Sequence, residues 1–251
     1  MSKNVWITGA SSGIGKALAI KFANEGWQVA ASARRENLLN DLNKINSNIH
    51  SFPLDVTDEI KIKDIFQEII KKFQTMDICV FCTGIHDPES EKKLSSEKIR
   101  KIMETNFFGT VNSIMAVNKY FRERKNGHIS IVSSVAGYRG LPAAAGYCAS
   151  KAALTSLAES LFFDFKRYNV RISLVSPGFI KTPLTDKNKF PMPLIKSAEF
   201  AAEKMFIGLT KKNAFEIHFP ITFTLMMKLL KIMPNWLYFL LLKKGMQTIK
   251  Y

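Results

Sequence analysis

The sequence predicts an α/β protein: a doubly wound parallel sheet in a three-layer α/β/α arrangement. Three observations predict it. Short apolar runs alternate with longer amphipathic stretches over the first 220 residues, a glycine-rich turn follows the first run, and no repeat, low-complexity tract or long linker divides the chain. A chain of 251 residues with 47% hydrophobic and 23% charged content suits one globular domain of this class.

The apolar runs Val5–Thr8, Gln28–Ser32, Ile49–Pro53, Asp77–Phe81, His128–Ser133, Val170–Val175 and Ala214–His218 read as strands. Between them, helical periodicity covers Ile14–Glu25, Glu36–Lys44, Asp58–Phe73, Ser96–Arg124, Ala149–Tyr168 and Ala198–Thr210. Strands alternating with helices give a parallel sheet covered on both faces. Residues 1–220 are expected to form the single domain, and 221–251 an apolar, basic, helical extension.

Composition narrows the chemistry. Three cysteines make no disulfide framework, and Met1–Thr8 runs straight into a strand without a signal-peptide pattern, so a reducing, cytoplasmic setting is expected. Cys79 and Cys82 form a CxxC, but residues three apart on a strand face opposite sides, so packed thiols are expected rather than a redox pair. His50, His86, His128 and His218 lie singly, and no metal site is expected. A net charge of +15 favours anionic partners: a phosphorylated cofactor, a lipid surface or nucleic acid. The lysines are scattered, with no basic run interleaved with aromatics, which disfavours nucleic acid.

The turn Thr8-Gly-Ala-Ser-Ser-Gly-Ile-Gly15 joins the first strand to the first helix. Gly9, Gly13 and Gly15 let the backbone approach a pyrophosphate, and the following helix offers it unpaired N–H groups and a positive dipole end. Thr8, Ser11, Ser12 and Ile14 complete this candidate cofactor loop. At the end of the second strand stands Ala33, just past Ser32, followed by Arg34 and Arg35. A carboxylate there would hold a ribose 2′-hydroxyl, whereas guanidinium groups grip a 2′-phosphate, so NADP(H) is expected over NAD(H).

The G-x-x-x-G-x-G spacing resembles the short-chain dehydrogenase/reductase family, a Rossmann branch, and the resemblance continues in order to about residue 218. By resemblance, Asp55-Val56 holds the adenine, Gly84 borders the cofactor, and Pro177, Gly178, Ile180 and Thr182 lie at the nicotinamide. Cys82-Thr83-Gly84 departs from the family's Asn-Ala-Gly, while keeping the glycine that leaves backbone room.

Tyr147 and Lys151 are four apart on a predicted helix and share a face. A free phenol titrates near about 10, and a cation at about 4 Å contributes about 4 kcal/mol at an effective dielectric of 20, roughly three pKa units. That brings a tyrosine towards the range of a useful proton donor. The resemblance implies that Tyr147 is the acid/base, that Ser134 steadies the substrate oxygen, and that Lys151 also holds the nicotinamide ribose. It implies further that Asn106 positions a water relaying protons to Lys151. Without it, Ser134 reads as a turn serine and Tyr147–Lys151 as a surface helix pair.

The expected activity is reduction of a ketone or aldehyde to an alcohol, on an apolar small molecule, in a homo-oligomer. The alternatives are a 3-oxoacyl or long-chain keto-lipid reductase and a catalytically silent NADP-binding sensor or scaffold. The segment Phe179–Lys196 is expected to form a short substrate lid. In the tail, Ile221–Met233 and Trp236–Leu242 read as two short apolar helices. Lys228, Lys231 and Pro234 interrupt them, so no membrane span is expected. An anionic membrane surface touched through 221–244, on the inner face of a membrane, competes with a subunit contact or a cover over the cleft.

Overall fold

Val5 and Ile7 pack on one face of the sheet and Trp6 on the other, all fully buried. This alternation follows from the two-residue period of a strand covered on both sides. The computed structural model describes residues 3–88, 93–188 and 190–247; the last four positions of the expected extension lie outside them. Seven strands form one parallel sheet: β1 (Asn4–Thr8), β2 (Gln28–Ser32), β3 (Ile49–Ser51), β4 (Ile78–Phe81), β5 (Gly127–Val132), β6 (Val170–Pro177) and β7 (Glu216–Phe219). Their order is β3-β2-β1-β4-β5-β6-β7, so the direction in which successive strands are added to the sheet switches between β1 and β4. A crevice opens there at the carboxyl ends, where Thr8 pairs in register with Ser32 and Phe81.

Helices cover both faces. α1 (Gly13–Asn24), α2 (Glu36–Ile45) and α7 (Ala198–Thr210) bury Leu18, Phe22, Leu39 and Met205 in the core that contains Val5 and Ile7. α3 (Glu59–Phe73), α5 (Gly109–Arg124) and α6 (Ala145–Lys166) bury Ile62, Phe66, Val117 and Phe165 in the core around Trp6. Asp58 starts α3 by accepting from Lys61 N at 2.9 Å, and Ser197 starts α7 by accepting from Phe200 N at 3.1 Å. The expected doubly wound sheet is the observed one.

Several expected boundaries move. The single helix expected over Ser96–Arg124 is α4 (Ser96–Met103), one π turn over Glu104–Phe108, and α5. The wide turn turns Asn106 inward, and its amide bonds the backbone of Ile85. The helix expected from Ala149 begins four residues earlier, at Ala145: Ala143 has a positive φ of 51° and Ala144 stands as the N-cap, and Cys148 N already bonds Ala144 O at 2.7 Å. β3 stops at Ser51, two residues short of Pro53, which has no N–H to pair.

The extension forms α8 (Ile221–Ile232) and α9 (Asn235–Gln247). Phe223 and Met227 of α8 pack on Val135 and Tyr138, in the loop after β5. Cys79 lies in the core around Trp6 and Cys82 packs against the opposite core, so the two thiols are on different faces of the sheet, as expected. Burial pushes the Cys82 thiol up to about 11 and the Cys79 thiol well above its ordinary range, which keeps both protonated.

Candidate active site

Gly9 and Gly13 adopt positive φ values of 71° and 55°, which a turn from strand into helix requires here. A Cβ on Gly15 would lie 2.3 Å from Gly9 O, so only glycine lets α1 start this close to β1. Thr8 Oγ1 accepts from Cys82 N at 3.2 Å and pins the loop to the end of β4. The side chain of Ser12, the residue before α1, makes no capping bond, and the first turn carries no acidic residue. The helix therefore presents its N–H groups and dipole to the crevice, a fit for a bound pyrophosphate.

Both hydroxyls of Ser11 and Ser12 accept instead from Arg35 Nη2, at 2.8 and 2.9 Å. Arg34 Nη1 lies 3.7 Å from Asp55 Oδ2, an exposed, loose pair. Arg34, Arg35, Ser11, Ser12 and Asp55 thus rim one side of the crevice, beyond the end of β2. Val56 is buried against α5, where a Cβ on Gly109 would meet its Cγ2 at 2.5 Å.

Across the crevice, β6 ends at Pro177 and Gly178 N donates to Phe219 O at 2.8 Å. Ile180 is buried and bridges to Lys196, closing the base of the segment Phe179–Lys196. Thr185 Oγ1 fixes the next turn by donating to Ile180 O at 2.7 Å. The Thr182 methyl then reaches the glycine loop, 3.1 Å from where a Gly13 Cβ would stand. Ile14, Gly178, Ile180 and Thr182 therefore frame the same opening.

Tyr147 lies in the first turn of α6 and Lys151 one turn on. Lys151 is buried, its Nζ donates to Val132 O at 2.9 Å, and it stands 5.7 Å from the centroid of the Tyr147 ring. Burial depresses its ammonium to about 8. A Cβ on Gly84 would come within 3.4 Å of Lys151 Nζ and 3.7 Å of Asn106 Oδ1, so that glycine opens the space between them. Ser134 precedes a 3-10 turn, Val135–Gly137; its Oγ accepts from Ala136 N at 3.1 Å and reaches Pro177 O at 3.5 Å. It is a turn serine as well as a neighbour of the carboxyl end of β6.

Four side chains that spacing did not reveal support this group. Asn106 Nδ2 donates to Ser150 Oγ at 3.0 Å, and Ser150 donates to Tyr147 O at 2.7 Å. Ser133 donates to Lys151 O at 2.8 Å. His86 stacks on the Tyr147 ring with centroids 4.4 Å apart. Arg139 reaches the end of α8. Only the place of Ser150 beside Lys151 hinted at any of them. Among the described residues, no group of three His, Cys, Asp or Glu side chains is placed to hold a metal.

The comparisons with known proteins identify the family. An uncharacterised oxidoreductase from Myxococcus xanthus is 35% identical over 236 residues, covering 92% of this chain and 93% of its own. A 3-oxoacyl-[acyl-carrier-protein] reductase from Thermotoga maritima is 34% identical over 185 residues, 72% of this chain and 75% of its own. The solved structure of ElxO with NADP bound superposes with a TM-score of 0.76 at 27% identity, covering 87% of this chain and 98% of that one. The sequence model of short chain dehydrogenases matches residues 3–191. This chain belongs to the short chain dehydrogenase family.

Proposed function

We propose that the chain reduces a carbonyl group to an alcohol with NADPH, using Tyr147 as the proton donor. The observation that carries this reading is the buried ammonium of Lys151 one helical turn from Tyr147, held at the carboxyl end of β5 beside Gly84. NADPH, when bound, supplies the hydride. Tyr147 gives its phenolic proton to the carbonyl oxygen, and the Lys151 cation stabilises the phenolate left behind. Ser134 Oγ donates to the same oxygen as charge develops on it. Asn106 acts as a positioning residue: its amide, engaged by Ile85 and Ser150, holds the Gly84–Ile85 backbone against the helix of Tyr147.

For the cofactor, the loop Thr8–Gly15 takes the pyrophosphate and Arg35, with Arg34, takes the 2′-phosphate. Asp55 and Val56 border the adenine, and Pro177, Gly178, Ile180 and Thr182 border the nicotinamide. Support for NADPH comes from Ala33, which brings no carboxylate to the end of β2, and from the guanidinium already seated on Ser11 and Ser12.

A long-chain substrate is a second reading. It is favoured by Phe179, which packs on Phe190 and Phe223 at centroid distances of 6.0 and 5.2 Å and gives the lid segment an apolar underside. Following NADPH and NADH oxidation against aldehydes, ketones and 3-oxoacyl esters of graded chain length tests both readings. Turnover with NADPH is expected, and Tyr147→Phe should lose at least about 100-fold of it with cofactor affinity near normal. Wild-type turnover retained by Tyr147→Phe would overturn the assignment.

A further inference from the structure

Nine of the seventeen large apolar side chains exposed among the described residues lie between Ile221 and Leu241. On α8 they follow one stripe, Ile221, Leu225, Leu229 and Ile232, spaced so that all face the same way. The opposite side of α8 is fixed: Phe223, Thr224 and Met227 are buried, the first and last against Val135 and Tyr138. α9 is held by Tyr238, buried, whose hydroxyl donates to Gly140 O at 2.5 Å, and it turns Trp236, Phe239 and Leu240 outward. The apolar face is therefore a rigid part of the fold, beside the loop that follows Ser134.

Its charge is one-sided. After Glu216 the chain contains no aspartate or glutamate, yet carries five lysines. Glu216 itself is taken by Lys228 at 2.5 Å and by the Tyr138 hydroxyl. Lys228 is thus an internal partner and not a free cation, contrary to its appearance in the sequence. Lys231 and Lys243 remain exposed on the two helices.

We infer that α8 and α9 dock this protein on the surface of an anionic lipid bilayer. Such a surface offers an apolar layer to the stripe and negative headgroups to the lysines, which is the complement of both features. A second copy docking by the same face would set Lys231 and Lys243 against their own counterparts without a carboxylate on the patch to answer them. The helices lie on the bilayer and do not span it. α8 is about 18 Å long against a hydrocarbon core of about 30 Å, and no helix among the described residues is long and apolar enough to cross. The inference does not depend on which reaction the crevice performs.

Co-sedimentation of the full chain with vesicles tests it. Vesicles containing phosphatidylglycerol should bind the protein at least tenfold more tightly than pure phosphatidylcholine, and 0.5 M salt should remove most of that preference. Leu225→Ser with Leu229→Ser changes only exposed positions and should weaken vesicle binding at least tenfold, with NADPH affinity and circular dichroism unchanged. Lys231→Gln with Lys243→Gln should erase the preference for anionic vesicles. The inference is overturned if the wild type ignores anionic vesicles at low salt, or if the serine variant binds them as the wild type does. It is overturned equally if the serine variant splits a dimer in sedimentation velocity while neither protein binds vesicles, because the face is then a contact between copies.

Discussion

Arg139 stacks on Tyr238, with the guanidinium carbon 4.0 Å from the ring centroid. The same guanidinium donates to Leu230 O at 2.5 Å, Met233 O at 2.6 Å and Asn235 Oδ1 at 2.6 Å. One side chain thus caps the carboxyl end of α8, fixes the start of α9, and ties both to the loop between β5 and α6. That loop carries Ser134 at one end and leads to Tyr147 at the other, so the extension is coupled to the candidate site.

Arg139→Ala should therefore cost about 1–3 kcal/mol, from a cation–π contact and several charge-assisted bonds. For a chain of this size, a Tm drop of about 3–10 °C follows. Arg139→Lys should recover little, because an ammonium cannot fork across three acceptors. Thermal melts of the two variants check this; a lysine variant as stable as the wild type would remove the forked cap from the account.

Arg35 and Arg34 look equivalent in the sequence and differ in the fold. Arg35 is held on Ser11 and Ser12, whereas Arg34 makes only the loose exposed pair with Asp55. Arg35→Ala should weaken NADPH by about 10–100-fold, the loss of charge-assisted bonds worth about 1.5–3 kcal/mol. Arg34→Ala should cost less, and NADH affinity should hardly change in either variant. Fluorescence titration with both cofactors measures this; equal NADPH and NADH affinity in the wild type would sink the 2′-phosphate assignment.

What was legible in the sequence was local. Gly9, Gly13 and Gly15 sit within one turn, and Tyr147 and Lys151 sit one turn apart, so spacing alone exposed them. The parallel sheet followed because each apolar run is short and a helix intervenes before the next. The links that hold the site together join distant segments: Asn106 to Ile85 and Ser150, Ser133 to the Lys151 backbone, Arg139 to α8. No periodicity marks such pairs. The π turn at Asn106 was hidden because no proline or glycine lies between Ser96 and Phe108, so the helical pattern runs through unbroken. Lys228 looked like a surface cation because its partner, Glu216, belongs to a different element.

The glycine loop allows a paired test. Gly15→Ala would drive its methyl into Gly9 O and displace the Gly9 turn, since the obstacle is backbone and cannot rotate away. It should cost about 1–3 kcal/mol and weaken NADP(H) binding at least about tenfold. Gly26→Ala is the control: φ is 79° but nothing stands within 4 Å, so only the left-handed backbone is penalised, by about 1–2 kcal/mol. Its cofactor affinity should match the wild type. Equal cofactor loss in the two variants would show that general destabilisation, not the loop, sets the affinity.

Lys151 links stability to pH in a direction that can be worked out. Burial lowers its ammonium from the usual 10.5 to about 8 in the folded chain, while the unfolded chain keeps the ordinary value. Below about 8 both states hold the proton, and the folded state carries the full cost of burying it, about 3 kcal/mol. Between about 8 and 10.5 the unfolded state binds more protons, so this group's contribution to stability rises with pH; above that window the cost is gone. Lys151→Met removes the buried cation and also the donor to Val132 O, whose loss costs about 1–3 kcal/mol. The variant should therefore melt at or above the wild type at pH 7, and lose that advantage by pH 9.5. Carbonyl reduction by the variant should fall at least about 100-fold, and wild-type turnover should decline above about pH 8 as the lysine loses its proton. Melting curves at the two pH values, set beside the pH–rate profile, test both halves. A methionine variant destabilised by the same amount at pH 7 and 9.5 would mean that Lys151 is held as an ordinary cation, and that burial does not tune it.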